Sequence, residues 1–285
     1  MEIFLGEGVV KEVPKNTLFV LVTCSRDKIR DEIAEKVVNS IQDLPKDRVI
    51  AFDNSSVYQN TKEKLKSLTK NSFFSSTNYG FWTAVDWCLQ NYESILKSKL
   101  DYVYVIESDA IHFPGYVESI VECEKYLENN ADVGSIRLQE FSVKEKHLYD
   151  KNFPTQDSRK WAWMRQSNHF TNQKAYFERP EGSIYRTNLS PQVCSLNRIS
   201  FMENAFCELR KMGKFTEIDF QEQYFKFYKE SAVYDGGIFN TKESFESDTL
   251  TGSWSDKNKL QQHGYKMTRE DSIQAVNEEN FVNVG

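Results

Sequence analysis

The sequence predicts an α/β protein built on a mostly parallel sheet with helices on both faces, and three observations carry that expectation. Strand-like and helix-like patterns alternate through the amino-terminal half. The strand runs are continuously apolar, as strands buried on both faces must be. Each run ends in small polar or acidic residues, where such sheets bind ligands. After about residue 140 the alternation gives way to a polar, aromatic stretch, which reads as an appended lobe.

Thr17 to Thr23 is the first strand. Asp27 to Ile41 follows with apolar residues at Ile29, Ile33, Val37 and Ile41 and charges between them, a helical period. Arg48 to Phe52 is the second strand, closed by the turn-forming Asp53-Asn54-Ser55-Ser56. Phe81 to Leu96 reads as a helix with Trp82, Val85, Leu89 and Leu96 near one face. Tyr102 to Ile106 is β-branched and aromatic, free of Gly and Pro, and ends in Glu107-Ser108-Asp109. A helix is expected from about Pro114 to Asn129, and a strand over Val133 to Leu138. Further on, Ile199 to Lys211 and Glu222 to Lys229 look helical, and the tail from Glu243 is polar and turn-rich.

Composition narrows the function classes. A chain of 285 residues with 20 Phe and 14 Tyr can bury a sizeable core as one large domain. Its longest apolar runs, such as Leu18 to Val22, fall far short of the roughly 20 residues that cross a bilayer. The start Met1-Glu-Ile-Phe-Leu-Gly-Glu has neither the basic nor the apolar region of a signal peptide. Cys24, Cys88, Cys123, Cys194 and Cys207 are odd in number and widely spaced, which argues against a disulfide framework and for a cytoplasmic location. A net charge of −6 disfavours a generic nucleic-acid coat while permitting a local basic surface.

Residues two apart on a strand point to the same side, so Glu107 and Asp109 can converge on one cation. Hard carboxylate oxygens suit Mg²⁺ or Mn²⁺. The competing reading is a strand followed by a polar turn.

Four features line up in order: Thr23-Cys24-Ser25-Arg26, Asp53-Asn54-Ser55-Ser56, Asn78-Tyr79-Gly80-Phe81-Trp82-Thr83-Ala84, and Glu107-Ser108-Asp109. With these motifs the chain resembles the GT-A glycosyltransferases, particularly the family-2-like group that uses nucleotide-sugar donors. The resemblance covers residues 17–140 well and 185–265 loosely. It implies a Rossmann-like GT-A domain in which residues 1–140 form the nucleotide-sugar-binding half. Residues 141–285 would complete the domain as an acceptor-binding half with an inserted lobe around 142–187. The implied donor is a UDP-sugar, handled with Mn²⁺ or Mg²⁺.

Residue by residue, the resemblance implies that Thr23, Ser25 and Arg26 line the nucleotide pocket, with the Arg26 guanidinium available to diphosphate. Asp53 would accept a hydrogen bond from base or ribose, or serve as a turn-former bonding its own backbone. Asn78 and Gly80 would let the backbone approach the donor, or cap a helix. Glu107 and Asp109 match the metal motif, with Asp109 the direct ligand. Glu107 replaces the usual Asp, so it is also a candidate to act through ribose or water. His263 stands where many members place a late metal or diphosphate ligand. Thr216-Glu217-Ile218-Asp219-Phe220-Gln221-Glu222-Gln223 resembles the helix start that supplies the catalytic base. Glu222 fits best there, with Asp219 in reserve, although acidic residues also favour helix starts through the macrodipole.

Between Arg159 and Arg186, six basic residues stand against two acidic ones, interleaved with Trp161, Trp163, Phe170, Tyr176, Phe177 and Tyr185. Aromatic faces with cations suit stacking on a sugar or an exposed base, so Arg159, Trp161, Trp163 and Arg165 are expected at the acceptor. The acceptor is then a carbohydrate or a nucleic acid, including a hydroxymethylated DNA base of the kind modified by phage enzymes. Two other classes compete. A nucleotidyltransferase would carry a Gly-rich loop after the first strand, which Thr23-Cys24-Ser25-Arg26 lacks. A non-catalytic nucleotide-sugar-binding module would not need Glu107, Asp109 and Glu222.

Overall fold

The computed structural model describes residues 12–112, 114–139, 184–187, 194–213, 217–235 and 238–240. Its centre is a sheet of strands β1 (Thr17–Thr23), β2 (Val49–Asn54), β3 (Ser72–Ser75), β4 (Tyr102–Glu107), β6 (Val133–Gln139), β7 (Ile184–Thr187), β8 (Ser195–Arg198) and β9 (Glu230–Asp235). Their order across the sheet is β3-β2-β1-β4-β8-β6-β9-β7. The first four run parallel. Strand β8 is antiparallel to both β4 and β6, which returns β6 and its parallel neighbour β9 to the direction of β4. Among the described strands of this sheet, only β7 and β8 run the other way, as the mostly parallel expectation requires. A separate two-stranded ribbon pairs β5 (Ala110–His112) with β10 (Ile238–Asn240).

Alternation along the strands builds two cores. Leu18, Val20, Val22, Ile50, Phe52, Val103 and Val105 face α3 (Phe81–Leu96), α5 (Ile199–Met212) and α6 (Glu217–Phe227). Phe19, Leu21, Val49, Ala51, Tyr104 and Ile106 face α1 (Lys28–Ser40), α2 (Gln59–Leu68) and α4 (Tyr116–Asn129). The period of two on the strands thus feeds two separate helical layers. Asp27 caps α1 by accepting from Arg30 N at 2.8 Å. Gly213, in the left-handed region at φ 63°, closes α5.

Boundaries differ from the sequence reading in instructive ways. Asp53 and Asn54 belong to β2 rather than to the turn after it. Helix α6 begins at Glu217, a turn and a half before the expected Glu222. The amphipathic α2 and the short β3, β8 and β9 were not distinguishable by pattern. The five cysteines are free thiols. Among the described residues no helix is long and apolar enough to cross a membrane.

Candidate active site at the carboxyl edge

The chain leaves β1 in one direction to β2 and β3, then returns to place β4 on the other side of β1. That reversal is a topological switch point, the place beyond the carboxyl ends of β1 and β4 where open α/β sheets bind their ligands. Val22 lies in register with Glu107, so the Thr23–Arg26 turn and the Glu107–Asp109 turn leave the sheet side by side.

Next to them stands a polar clamp. Asp53 is fully buried and accepts from Thr23 Oγ1 at 3.0 Å and from Ser56 N at 3.2 Å. Burial pushes its carboxyl up to about 6, against the opposing pull of those hydrogen bonds. Ser25 N donates to Ser56 Oγ at 2.7 Å, and Val57 N donates to Ser25 O at 3.0 Å. Arg26 Nη1 donates to both the carbonyl and the hydroxyl of Ser55, each at 2.9 Å. Ser55 sits at φ 73°, a left-handed backbone that an L residue occupies at a cost of roughly 1–2 kcal/mol. Its hydroxyl donates to Ser76 O at 3.1 Å, which helps hold that conformation.

The helix start Asn78–Gly80 is tied to the same clamp. Asn54 Nδ2 donates to Asn78 Oδ1 at 2.7 Å, and Tyr79 N donates to Asn54 Oδ1 at 2.8 Å. Asn78 Oδ1 also accepts from Gly80 N at 2.9 Å. Gly80 takes φ 90°, which only glycine adopts without strain. Thr23, Ser25, Asp53 and Asn78 therefore brace one another at the carboxyl edge. Arg26 keeps donors in reserve: among the described residues its Nε and Nη2 make no hydrogen bond.

The far side is built by β6, β8 and α6. Because β9 runs with β4 and α6 precedes it antiparallel, α6 starts at the carboxyl edge. Trp82 stacks on Phe220 at 4.6 Å and 16°, which packs the first turn of α6 against the start of α3. Asp219 is half-buried beside Phe220, one turn before the buried Gln223. Glu222 is exposed, with Phe225 and Lys226, on the side of the helix roughly opposite Phe220, Gln223 and Tyr224. Of the two expected carboxylates, Asp219 is half-buried and Glu222 is exposed.

Arg137 is a site residue that the sequence reading missed. It pairs in register with Ser195, and Ser195 with Val105, which puts it on the same face of the sheet as Glu107. The Cys194 thiol lies between these charges. Burial pushes it up first, Glu107 and Asp109 push further, and Arg137 opposes them. The signal was available: one cation inside an otherwise apolar strand, Ile136-Arg137-Leu138.

The donor set suits a hard divalent cation. Glu107 and Asp109 offer carboxylate oxygens, while burial raises Cys24 to about 12 and Cys194 well above the ordinary thiol range. Among the described residues no group of three His, Cys, Asp or Glu side chains could enclose a metal. Two carboxylates match a cation that completes its shell with phosphate oxygens and water. His263, Arg159, Trp161, Trp163 and Arg165 lie outside the described residues. The described His112 is a core residue: its Nε2 meets Tyr104 OH at 2.9 Å, and burial lowers it to about 3.

No family model and no curated protein matches the chain. Solved structures that resemble it include TarS of S. aureus, at 14% identity and a TM-score of 0.46 over 87% of this chain and 42% of TarS. Glucosyl-3-phosphoglycerate synthase from Mycobacterium tuberculosis, in complex with Mn²⁺ and UDP-glucose, is 13% identical at a TM-score of 0.41, over 89% of this chain and 81% of that one. The mannosyltransferase PcManGT from Pyrobaculum calidifontis, in complex with GDP-Man and Mn²⁺, is 12% identical at a TM-score of 0.44, over 94% and 77%. The chain spans less than half the length of TarS. These likenesses are of general outline, and no residue role is taken from them.

Proposed function

We propose that the carboxyl edge transfers a glycosyl group from a nucleotide-sugar donor to an acceptor hydroxyl, with residues 1–140 binding the donor and the rest presenting the acceptor. The observation that carries this reading is the placement of Glu107 and Asp109 at the end of β4, at the switch point beside the Thr23–Arg26 turn. In the transfer the acceptor oxygen bonds to the anomeric carbon, and the bond from that carbon to the diphosphate oxygen breaks. The electron pair leaves with the nucleoside diphosphate. Glu107 and Asp109 would hold a divalent cation that neutralises the departing diphosphate as a Lewis acid. Arg26, from the donor side, adds guanidinium hydrogen bonds to the same charge.

In this reading Asp219 takes the acceptor proton, in preference to Glu222. Its support is the half-buried position of Asp219 on the first turn of α6, against the exposed Glu222. Direct transfer of this kind inverts the anomeric centre. Residues Arg159, Trp161, Trp163 and Arg165 are proposed to hold the acceptor, and Trp163→Ala should raise the acceptor KM while leaving donor hydrolysis unchanged. The deciding experiment incubates the protein with a panel of UDP- and GDP-sugars and Mn²⁺ and measures released nucleoside diphosphate. Donor-dependent release that Asp109→Asn abolishes is the expected result. No release from any donor, with the protein folded, sinks the reading.

A further inference from the structure

The opposite edge of the sheet carries a different chemistry. Each of the four parallel strands is entered past a cation: Lys15 precedes β1, Arg48 precedes β2, Lys70 precedes β3 and Lys99 precedes β4. The strand order β3-β2-β1-β4 therefore lays Lys70, Arg48, Lys15 and Lys99 side by side. At about 4.8 Å per strand the row is roughly 14 Å long. All four residues line one open cavity of about 380 Å³, in which Asp47 is the only acidic lining residue. Other carboxylates stand nearby: Glu12 acts on Lys15, Glu203 on Lys99 and Glu124 on Arg48. Asp101 accepts from the Asn16 side chain, and Glu124 from Asn16 N at 2.7 Å and Thr17 Oγ1 at 3.2 Å.

Among the described residues Lys15, Lys70 and Lys99 form no ion pair. Arg48, the one half-buried member of the row, donates its Nη1 to Pro14 O. Four cations in a line, inside a chain of net charge −6, are a local departure from the composition. The row is one backbone wide. A duplex would present two backbones separated by a groove of about 6 or 12 Å. The apolar lining residues are Ile95, Leu96 and Leu100, with no aromatic ring on which a base would stack.

We propose that the amino edge of the sheet is a second binding site, for the phosphodiester backbone of a single-stranded nucleic acid, read without regard to base sequence. The site is separate from the carboxyl edge and holds whether or not that edge transfers a sugar. Recognition by charge alone makes salt the governing variable. For single strands the slope of log K against log salt is about −0.7 per phosphate neutralised, so four contacts give a slope of about −3.

The test measures fluorescence anisotropy of a mixed-sequence 12-nucleotide single-stranded DNA between about 50 and 200 mM salt, the range over which such contacts lose most of their strength. The double variant Lys70→Glu with Lys99→Glu is expected to weaken binding at least about tenfold and to flatten the slope by about 1.4, two phosphate contacts' worth. A matched control, Lys28→Glu with Lys36→Glu on the exposed face of α1, makes the same change in net charge and should leave both quantities near wild type. Circular dichroism of both variants establishes that they are folded. Nucleoside diphosphate release should be unchanged in the Lys70/Lys99 variant. Equal losses in the two double variants would assign the effect to net charge and overturn the site. So would a wild-type affinity indifferent to salt, or tighter binding of the corresponding duplex.

Discussion

The two edges of one sheet face solvent with opposite character, although the same strands build both. At the carboxyl edge β1, β2 and β4 end in Thr23, Asn54 and Glu107, and buried side chains there bind one another at distances near 3 Å. At the amino edge the same strands begin after Lys15, Arg48 and Lys99, which line one open cavity. The contrast separates preorganisation from simple attraction. A clamp of buried hydrogen bonds fixes a geometry before any ligand arrives, as chemistry requires. A row of exposed cations fixes only a charge, which suits binding without discrimination.

The largest effect should come from the carboxyl edge. Asp109→Asn removes one negative charge from the only pair of carboxylates at the end of β4. Loss of a Lewis-acid contribution worth several kcal/mol corresponds to about a 10³-fold drop in kcat. Near-wild-type turnover with Mn²⁺ present would show that Glu107 and Asp109 merely end a strand.

A second cut sharpens the choice between carboxylates on α6. Asp219→Asn should lower kcat by about 10²–10⁴-fold with donor affinity little changed. Glu222→Gln, on the exposed side of the helix, should stay within a few-fold of wild type. The reverse ranking would return the base to Glu222, where the motif alone pointed.

A third prediction concerns acid stability, where two buried groups oppose each other. Asp53 is raised from 3.8 to about 6, so the folded state holds its proton more tightly than the unfolded chain. Its effect is to lower stability as pH rises from about 4 to about 6. His112 is lowered from 6.5 to about 3, so the unfolded chain binds its proton more tightly, and its effect is to raise stability over the same interval. These two contributions nearly cancel between pH 4 and 6. Asp53→Asn should unmask the His112 slope, and stability should then rise by about 2–3 kcal/mol across that interval, at 1.36 kcal/mol per pH unit. A variant whose change in stability between the two pH values equals that of the wild type, in urea titrations, would count against this account.

How much of this was legible in the sequence follows from burial. Strands β1, β2 and β4 are buried along nearly their whole length, so each wrote itself as a continuous apolar run. Strand β8, Ser195-Leu-Asn-Arg198, is equally interior, but its place comes from pairing with β4 and β6 across long stretches of chain, and its own pattern is polar. The carboxylates at the end of β4 were visible because charge at the end of an apolar run is conspicuous. Ser55 and Ser56 were visible as part of a turn motif, but their hydrogen bonds to Arg26 and Ser25, and the place of Arg137 beside Glu107, are assembled by strand order. The cations before each strand were in plain view one at a time. Only the order β3-β2-β1-β4 turns them into a row.

The smallest effect tests whether the amino end of the sheet contributes stability rather than chemistry. Gly134, at the start of β6, donates its N–H to Tyr224 OH at 3.1 Å, and that hydroxyl donates to Glu230 O at 2.8 Å. A Cβ at this position would stand 2.3 Å from Cε2 of Tyr228. The Tyr228 ring cannot retreat freely, because it stacks on Tyr224 at 5.3 Å and packs edge-on against Phe201 at 5.8 Å. Gly134→Ala should therefore lower unfolding stability by about 1–3 kcal/mol, the usual range for overpacking. Asp219 lies more than a turn before Tyr224 on the same helix, toward the opposite edge. At temperatures where the variant is fully folded, kcat should stay within about twofold of wild type. A clear loss of kcat without loss of stability would mean that the two edges are mechanically coupled through α6, and the separation of their roles would fail.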